Sequence, residues 1–177
     1  MSHEAEVIAR EVIFEGRVFA VHRDRLRLPG GREVRLEIVR HPPSVVLLPM
    51  PDAERIVLVR QYRHAVGRWL WELPAGSVDE GETLEEAARR ECREEVRMAP
   101  GRVELVGTFY PTPGFCDEAM SFFRATALEP LASPPPVDDD ELLEPRAFAI
   151  AEARALVARG EIVDMKTALG LSLLLPG

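Results

Sequence analysis

The sequence predicts an α+β domain preceded by a small antiparallel strand module. Three observations point there: the first forty residues alternate apolar with polar, two later runs are continuously apolar, and one well-capped helical segment follows them. A length of 177 residues suits one domain, or one with a small appendage, and 46% hydrophobic residues suffice for a sizeable core.

The elements follow in order. EVIAREVIFE, RVFAVHRDRLRL and REVRLEIV alternate as half-buried strands do, with Pro29-Gly30-Gly31 turning between the last two. They make up residues 1–42, the strand module; residues 43–177 form the main domain. SVVLLPM and RIVLVRQY read as strands buried on both faces, separated by a turn at Pro51-Asp52. A short WLWEL comes next, then Pro74-Ala75-Gly76 as a breaker. Thr83 with Glu86 three residues on makes a capping box ahead of LEEAARRECREEV. Strands resume at RVELVGTFY and AMSFFRATAL. SPPPVDDDE is a surface loop, AEARALVARG a helix ending at Gly160, and MKTALGLSLLL a last helix.

Composition excludes several functions. With 22 basic and 30 acidic residues the formal charge is −8, which lacks the basic surface that nucleic-acid binding needs. The N-terminal residues are charged rather than a hydrophobic signal, and no apolar run of membrane-spanning length occurs, so a soluble, cytoplasmic protein without a membrane partner is expected. Two cysteines, Cys92 and Cys116, make no disulfide framework. The single lysine, Lys166, sits in no phosphate-binding loop, the common zinc patterns are missing, and no GxSxG elbow occurs. The chemistry must rest on carboxylates and arginines.

Residues 76–98 concentrate that chemistry: eight acids against four arginines. On a helix, Glu91, Glu94 and Glu95 stand at i, i+3 and i+4, which puts three carboxylates on one side within a turn. Like charges so placed repel unless a cation sits among them, and oxygen-only donors favour Mg²⁺ or Mn²⁺. The alternative is a solvated face laced by i, i+4 pairs such as Glu85–Arg89 and Glu86–Arg90.

The segment resembles the Nudix box, G-x5-E-x7-R-E-U-x-E-E-x-G-U with U apolar. Gly76, Glu82, Arg90, Glu91, Cys92, Glu94, Glu95 and Met98 fall at its positions; the one departure is Arg97, where the family has glycine. A left-handed arginine there costs roughly 1 kcal/mol, so the helix is expected to end differently, at Pro100-Gly101. WELPAG before the helix, Pro113 within PTPGFCDE, and the N-terminal module narrow the resemblance to the ADP-ribose pyrophosphatase group.

The resemblance implies an α/β/α sandwich around a mixed β-sheet, a homodimer joined through the N-terminal strands, and metal-dependent hydrolysis of ADP-ribose to AMP and ribose 5-phosphate. Mg²⁺, with Mn²⁺ as the alternative, would be held by Glu91, Glu94, Glu95 and the carbonyl of Ala75. Glu94, Glu95, Asp139 and Glu141 are the candidate catalytic acids, the last two in VDDDELLE, where Asp139 replaces the family's glutamate. Gly76, Glu82 and Arg90 shape the motif, and Arg90 would hold a neighbouring glutamate in place through a paired hydrogen bond. Arg63 matches the family's phosphate-binding position; Arg35, Glu37, Glu72 and Glu118 are further substrate contacts. Trp69, Trp71 and Phe115 are stacking candidates or core. Rival readings are a pyrophosphatase for another nucleotide sugar, dinucleotide or nucleoside triphosphate, and a non-catalytic nucleotide sensor, which Arg97 and Asp139 would favour.

Overall fold

The structure is a computed structural model that describes residues 4–133, 135 and 143–174. The chain divides into two compact units, one running to Pro43 and joined by Tyr110–Ala119, the other comprising Ser44–Phe109 and everything from Met120. The segment 110–119, read from sequence with the larger domain, therefore belongs to the N-terminal unit.

That unit is an antiparallel three-stranded sheet of β1 (Glu6–Glu15), β2 (Ala20–Arg27) and β3 (Glu33–Arg40). Gly30 and Gly31 turn between β2 and β3 at φ 93° and 89°, a left-handed pair that only glycine adopts without strain. The segment 110–119 lies along β3: the Val39 N–H donates to the Phe115 carbonyl at 2.7 Å, and the Asp117 N–H returns to the Val39 carbonyl at 3.2 Å. Val7, Val12, Ile13, Phe14, Phe19 and Leu36 are 42–57% exposed, so β1 in particular lacks a buried face.

In the larger unit, β4 (Ser44–Pro49), β5 (Arg55–Arg63) and β6 (Arg68–Glu72) are followed by β7 (Ala75–Ser77) and α1 (Leu84–Glu95). Then come β8 (Met98–Phe109), β9 (Met120–Pro130), β10 (Glu144–Ala149), α2 (Ile150–Ala158) and α3 (Met165–Leu173). One sheet is mixed, in the order β7-β4-β9-β8 with β4 parallel to β9; the other is antiparallel, in the order β10-β5-β6. Every residue of β4 is buried, and its alternate side chains enter two cores. Val45 and Leu47 pack with Ala87, Ala88 and Cys92 of α1, while Val46 and Leu48 pack with Phe122, Ala153 of α2 and Leu171 of α3. Helices on both faces of a mixed sheet give the expected sandwich.

Three local readings are corrected. Pro74-Ala75-Gly76 is not simply a breaker, because Ala75–Ser77 adds an edge strand to β4. β10 was not foreseen; only its Phe148 is buried. The helix does not run on to Pro100-Gly101: Val96 caps it, and Arg97 itself takes the left-handed conformation at φ 64°. β8 then starts at Met98 and carries Pro100 inside it, which an edge strand tolerates because one row of its amides needs no partner.

Candidate functional site

The site begins with the cap of α1. Thr83 accepts from the Glu86 N–H at 3.2 Å, and Glu86 accepts from the Thr83 N–H at 2.9 Å, which fixes where the helix starts and hence which residues face the sheet. Ala87, Ala88 and Cys92 point into the core. With them go Glu91 and Glu95, only 7% and 5% exposed, toward β7; Glu94 turns outward. Two carboxylates are thus held at a sheet edge where few acids are buried without a reason.

Gly76 explains how they fit. A Cβ placed there would land on the carboxylate of Glu91, so only glycine allows this approach of strand to helix. Next to it, the Ala75 N–H donates to Glu95 at 3.2 Å.

Arg90 ties the acids together. Its Nε and Nη2 grip the two oxygens of Glu82 at 3.0 and 2.9 Å, its Nη1 reaches Glu91 at 2.6 Å and Glu94 at 3.0 Å, and Nη2 also donates to the Ser77 carbonyl at 2.9 Å. A guanidinium has five N–H groups, and all five are engaged. The hydrogen bonds to Glu82 lead the causes that raise the Arg90 pKa, so it stays charged. In return Arg90 holds the Glu82 carboxyl below its usual value, and Glu82 also accepts from the Asp79 N–H at 3.2 Å. Glu82 and Arg90 hold the acidic loop against the helix.

Among the described residues, no group of three histidine, cysteine, aspartate or glutamate side chains stands ready to hold a metal ion. Glu91, Glu94 and Glu95 share one helical turn, as expected, but do not converge. Arg90 bridges the first two and the Ala75 amide engages the third, which removes the repulsion that three adjacent carboxylates would otherwise feel. The donor set consists of oxygens alone, and the glycine cradle brings Glu91 against the β7 backbone. These features suit a hard divalent cation.

A second charged network adjoins the first. Arg63 donates from Nε and Nη2 to the two oxygens of Glu72 at 2.9 and 2.7 Å, and Lys166 also bonds Glu72. Lys166 lies 3.1 Å from Asp164, which caps α3 by accepting from the Thr167 N–H at 2.9 Å. The Thr167 hydroxyl accepts from the Leu73 N–H at 2.7 Å, locking α3 to the strand end beside Ala75. Burial alone would push the Glu72 carboxyl up, but Arg63 and Lys166 reverse this and leave it below its usual value. The Arg63 pKa is raised chiefly by Glu72, with smaller contributions from the charges of Glu95 and Asp164, which places Arg63 within electrostatic range of the acidic turn. Its side chain remains 41% exposed and open to a ligand.

Glu72, expected to meet a ribose, is 1% exposed with both oxygens engaged by Arg63 and Lys166. In this conformation it orients Arg63 and offers nothing to a substrate. Lys166 was not anticipated as a site residue; the signal available was a lone lysine two residues after a helix cap. Arg35, Glu37 and Glu118 belong to the N-terminal unit. Arg35 is exposed on β3, Glu37 bonds Arg23 at 2.9 Å, and Glu118 lies 3.8 Å from the His41 ring. Asp139 and Glu141 lie outside the described residues. Trp71 belongs to the core, edge-on to Phe148, whereas Trp69 is exposed beneath Arg60. Burial pushes the Cys92 thiol up to about 12, so it is inert.

A family model described as the NUDIX domain matches residues 40–166. The chain is 35% identical to the ADP-ribose pyrophosphatase of Bacillus subtilis, over 98% of this chain and 94% of that protein. It is 39% identical to the ADP-ribose pyrophosphatase of Mycobacterium tuberculosis, over 92% of this chain and 79% of that one. A solved structure described as an ADP compounds hydrolase superposes with a TM-score of 0.83 over 97% of this chain and 92% of its own, at 22% identity, and so shares the fold.

Proposed function

The chain belongs to the Nudix family and is a hydrolase, and from that premise we propose that it cleaves the pyrophosphate bond of ADP-ribose to AMP and ribose 5-phosphate. The observation that carries the reading is the acidic turn of α1, with Glu91 seated on Gly76 and Glu95 on the Ala75 amide. We assign divalent-cation binding, Mg²⁺ first and Mn²⁺ as the alternative, to Glu91, Glu94, Glu95 and the Ala75 carbonyl. A bound cation would neutralise phosphate charge and lower the pKa of the attacking water.

The remaining work falls to side chains of this protein. Arg63, aimed by Glu72 and Lys166, binds a substrate phosphate through its exposed nitrogen. Arg90 and Glu82 keep the loop and the acids in register, so the carboxylates meet the substrate already oriented. Glu94, the outward acid of the three, shares charge with the cluster. We propose Glu141 as the general base, with Asp139 as its shorter neighbour; a base must come within hydrogen-bond reach of the water it deprotonates.

The exposed apolar side chains of β1 support a homodimer formed through the N-terminal sheet. No helix among the described residues is long and apolar enough to cross a membrane. Cys92 and Cys116 are both free thiols, which supports a reducing, cytoplasmic location. The deciding experiment is hydrolysis of ADP-ribose, UDP-sugars and GDP-sugars with Mg²⁺ or Mn²⁺, with the products resolved against AMP. AMP and ribose 5-phosphate should form fastest from ADP-ribose, and Glu95→Gln should abolish turnover while retaining nucleotide binding. Faster turnover of a UDP- or GDP-sugar would displace the substrate; binding without turnover would leave a sensor domain.

A further inference from the structure

A second site lies in the larger unit, away from the acidic turn. Gly76 pairs with Val45 near the start of β4, whereas Met50, just beyond its end, lines a cleft of about 820 Å³. At about 3.3 Å per strand residue, the five residues from Val45 to Met50 put the two places about 17 Å apart. Arg124, Ala127, Ile150, Ala151 and Arg154 also line the cleft, whose volume falls within the roughly 300–1,000 Å³ of small-molecule sites.

Arg124 is the anomaly. It stands on β9 opposite Leu48, two residues from Phe122 and on the same sheet face. Its Nε is buried without a hydrogen-bond partner. The acid across the ladder, Glu104, is taken by Arg102 at 2.7 Å. Asp52 is taken by Arg55 at 2.7 Å, and Glu54, though it lines the cleft, pairs with neither Arg124 nor Arg154 among the described residues. A buried donor on a charged group without an acceptor costs about 1–3 kcal/mol or more, and native proteins satisfy such groups with water or an ion.

The surroundings favour an anion over water alone. Arg154 brings a second guanidinium, fixed by the Leu171 carbonyl at 3.2 and 3.1 Å and by that of Leu174. α2 starts at the cleft without a side-chain cap, since Ala149 has none to offer, and its Ile150 N–H is bound to the Glu54 carbonyl at 2.8 Å. The positive end of the helix therefore adds to the charge of the two arginines, and the acid of its first turn, Glu152, is exposed and outside the cleft lining. Ala127 on the wall is held left-handed at φ 52°, a strained conformation of the kind that collects at binding sites. We infer that this cleft binds a phosphate group, either free or as a phosphomonoester, through Arg124, Arg154 and the first turn of α2.

The test is an NMR titration of the metal-free, full-length protein with inorganic phosphate and, separately, with ribose 5-phosphate. Saturating amide shifts are expected at Ala127, Ile150 and Ala151, with affinity weakened about tenfold or more in Arg124→Gln. Ala151→Asp should weaken binding similarly; it adds a repelling carboxylate at an exposed first-turn position where an acid favours the helix, and so keeps the fold if the arginine variant loses it. Tighter binding of ribose 5-phosphate would identify a phosphomonoester, and equal binding a free phosphate site. Shifts absent from these residues, or affinity unchanged in the folded variants, would overturn the inference and leave a water-filled cleft. Because turnover is not read, the outcome is independent of the proposed hydrolysis.

Discussion

Replacing Arg90 with lysine tests the organisation of the acidic turn directly. The guanidinium makes five hydrogen bonds, four of them to carboxylates. An ammonium has three donors and no planar fork, so the paired grip on Glu82 and at least one further bond are lost. Hydrogen bonds to charged groups contribute about 1.5–3 kcal/mol each when buried, and Arg90 keeps 27% of its side chain exposed, which discounts that figure. The charge is retained, so a loss of about 2–3 kcal/mol is expected. For a chain of this length, that lowers the melting temperature by roughly 5–10 °C. Glu91 and Glu94 lose their common anchor, and misplacement of about 1 Å costs on the order of a hundredfold in kcat. Thermal unfolding and steady-state kinetics over a Mg²⁺ series read both effects. A variant that is destabilised yet keeps kcat within about twofold of the parent would show that Arg90 serves the fold and not the site.

Other outcomes follow from the same geometry. Glu72→Gln leaves Arg63 and Lys166 facing a neutral amide and should destabilise by about 3 kcal/mol in urea unfolding. The Glu72 carboxyl lies below its ordinary 4.5 in the folded protein, so its contribution is present above pH about 4.5 and fades as the pH falls; the variant should lose part of that acid dependence. Arg97→Gly relieves about 1 kcal/mol of left-handed strain but gives up the hydrogen bond to the Pro135 carbonyl, so its stability should change little, whereas Arg97→Ala, which keeps the strain, should be the less stable by about 1 kcal/mol. Phe14→Glu should convert the proposed dimer to a monomer in light scattering; an unchanged mass would remove the β1 face from the proposed interface. Cys92 should resist a thiol reagent near neutral pH until the protein unfolds, and rapid labelling of the native state would contradict its burial.

Much of the fold was legible because local and global preferences agree. The capping box at Thr83 and Glu86 marks the helix start to the residue, and the all-apolar run of β4 announces burial on two faces. What escaped depends on partners distant in sequence. Ala75–Ser77 has too few residues and too much turn chemistry to read as a strand; pairing with β4 makes it one. β10 buries only Phe148, so its alternation is faint. The parallel pairing of β4 with β9 leaves no mark on either segment. At the site, the motif named Gly76, Glu82, Arg90 and the three acids, and a paired bond from Arg90 to a neighbouring glutamate was legible, but not that Glu82 would be its partner or that Gly76 would seat Glu91. That Glu72 would serve Arg63 depends on Lys166, which reaches it from 94 residues away.

The five-fold engagement of Arg90 bears on how the unloaded protein survives. An acidic turn with a built-in counterion does not need an external one in order to fold, unlike small domains that collapse only around their metal. The metal-free chain is therefore expected to stay folded at low cation concentration, which thermal unfolding with and without a chelator would check. A cation held by Glu91, Glu94 and Glu95 would add its charge to that of Arg90, whose paired grip on Glu82 would keep the guanidinium beside the turn.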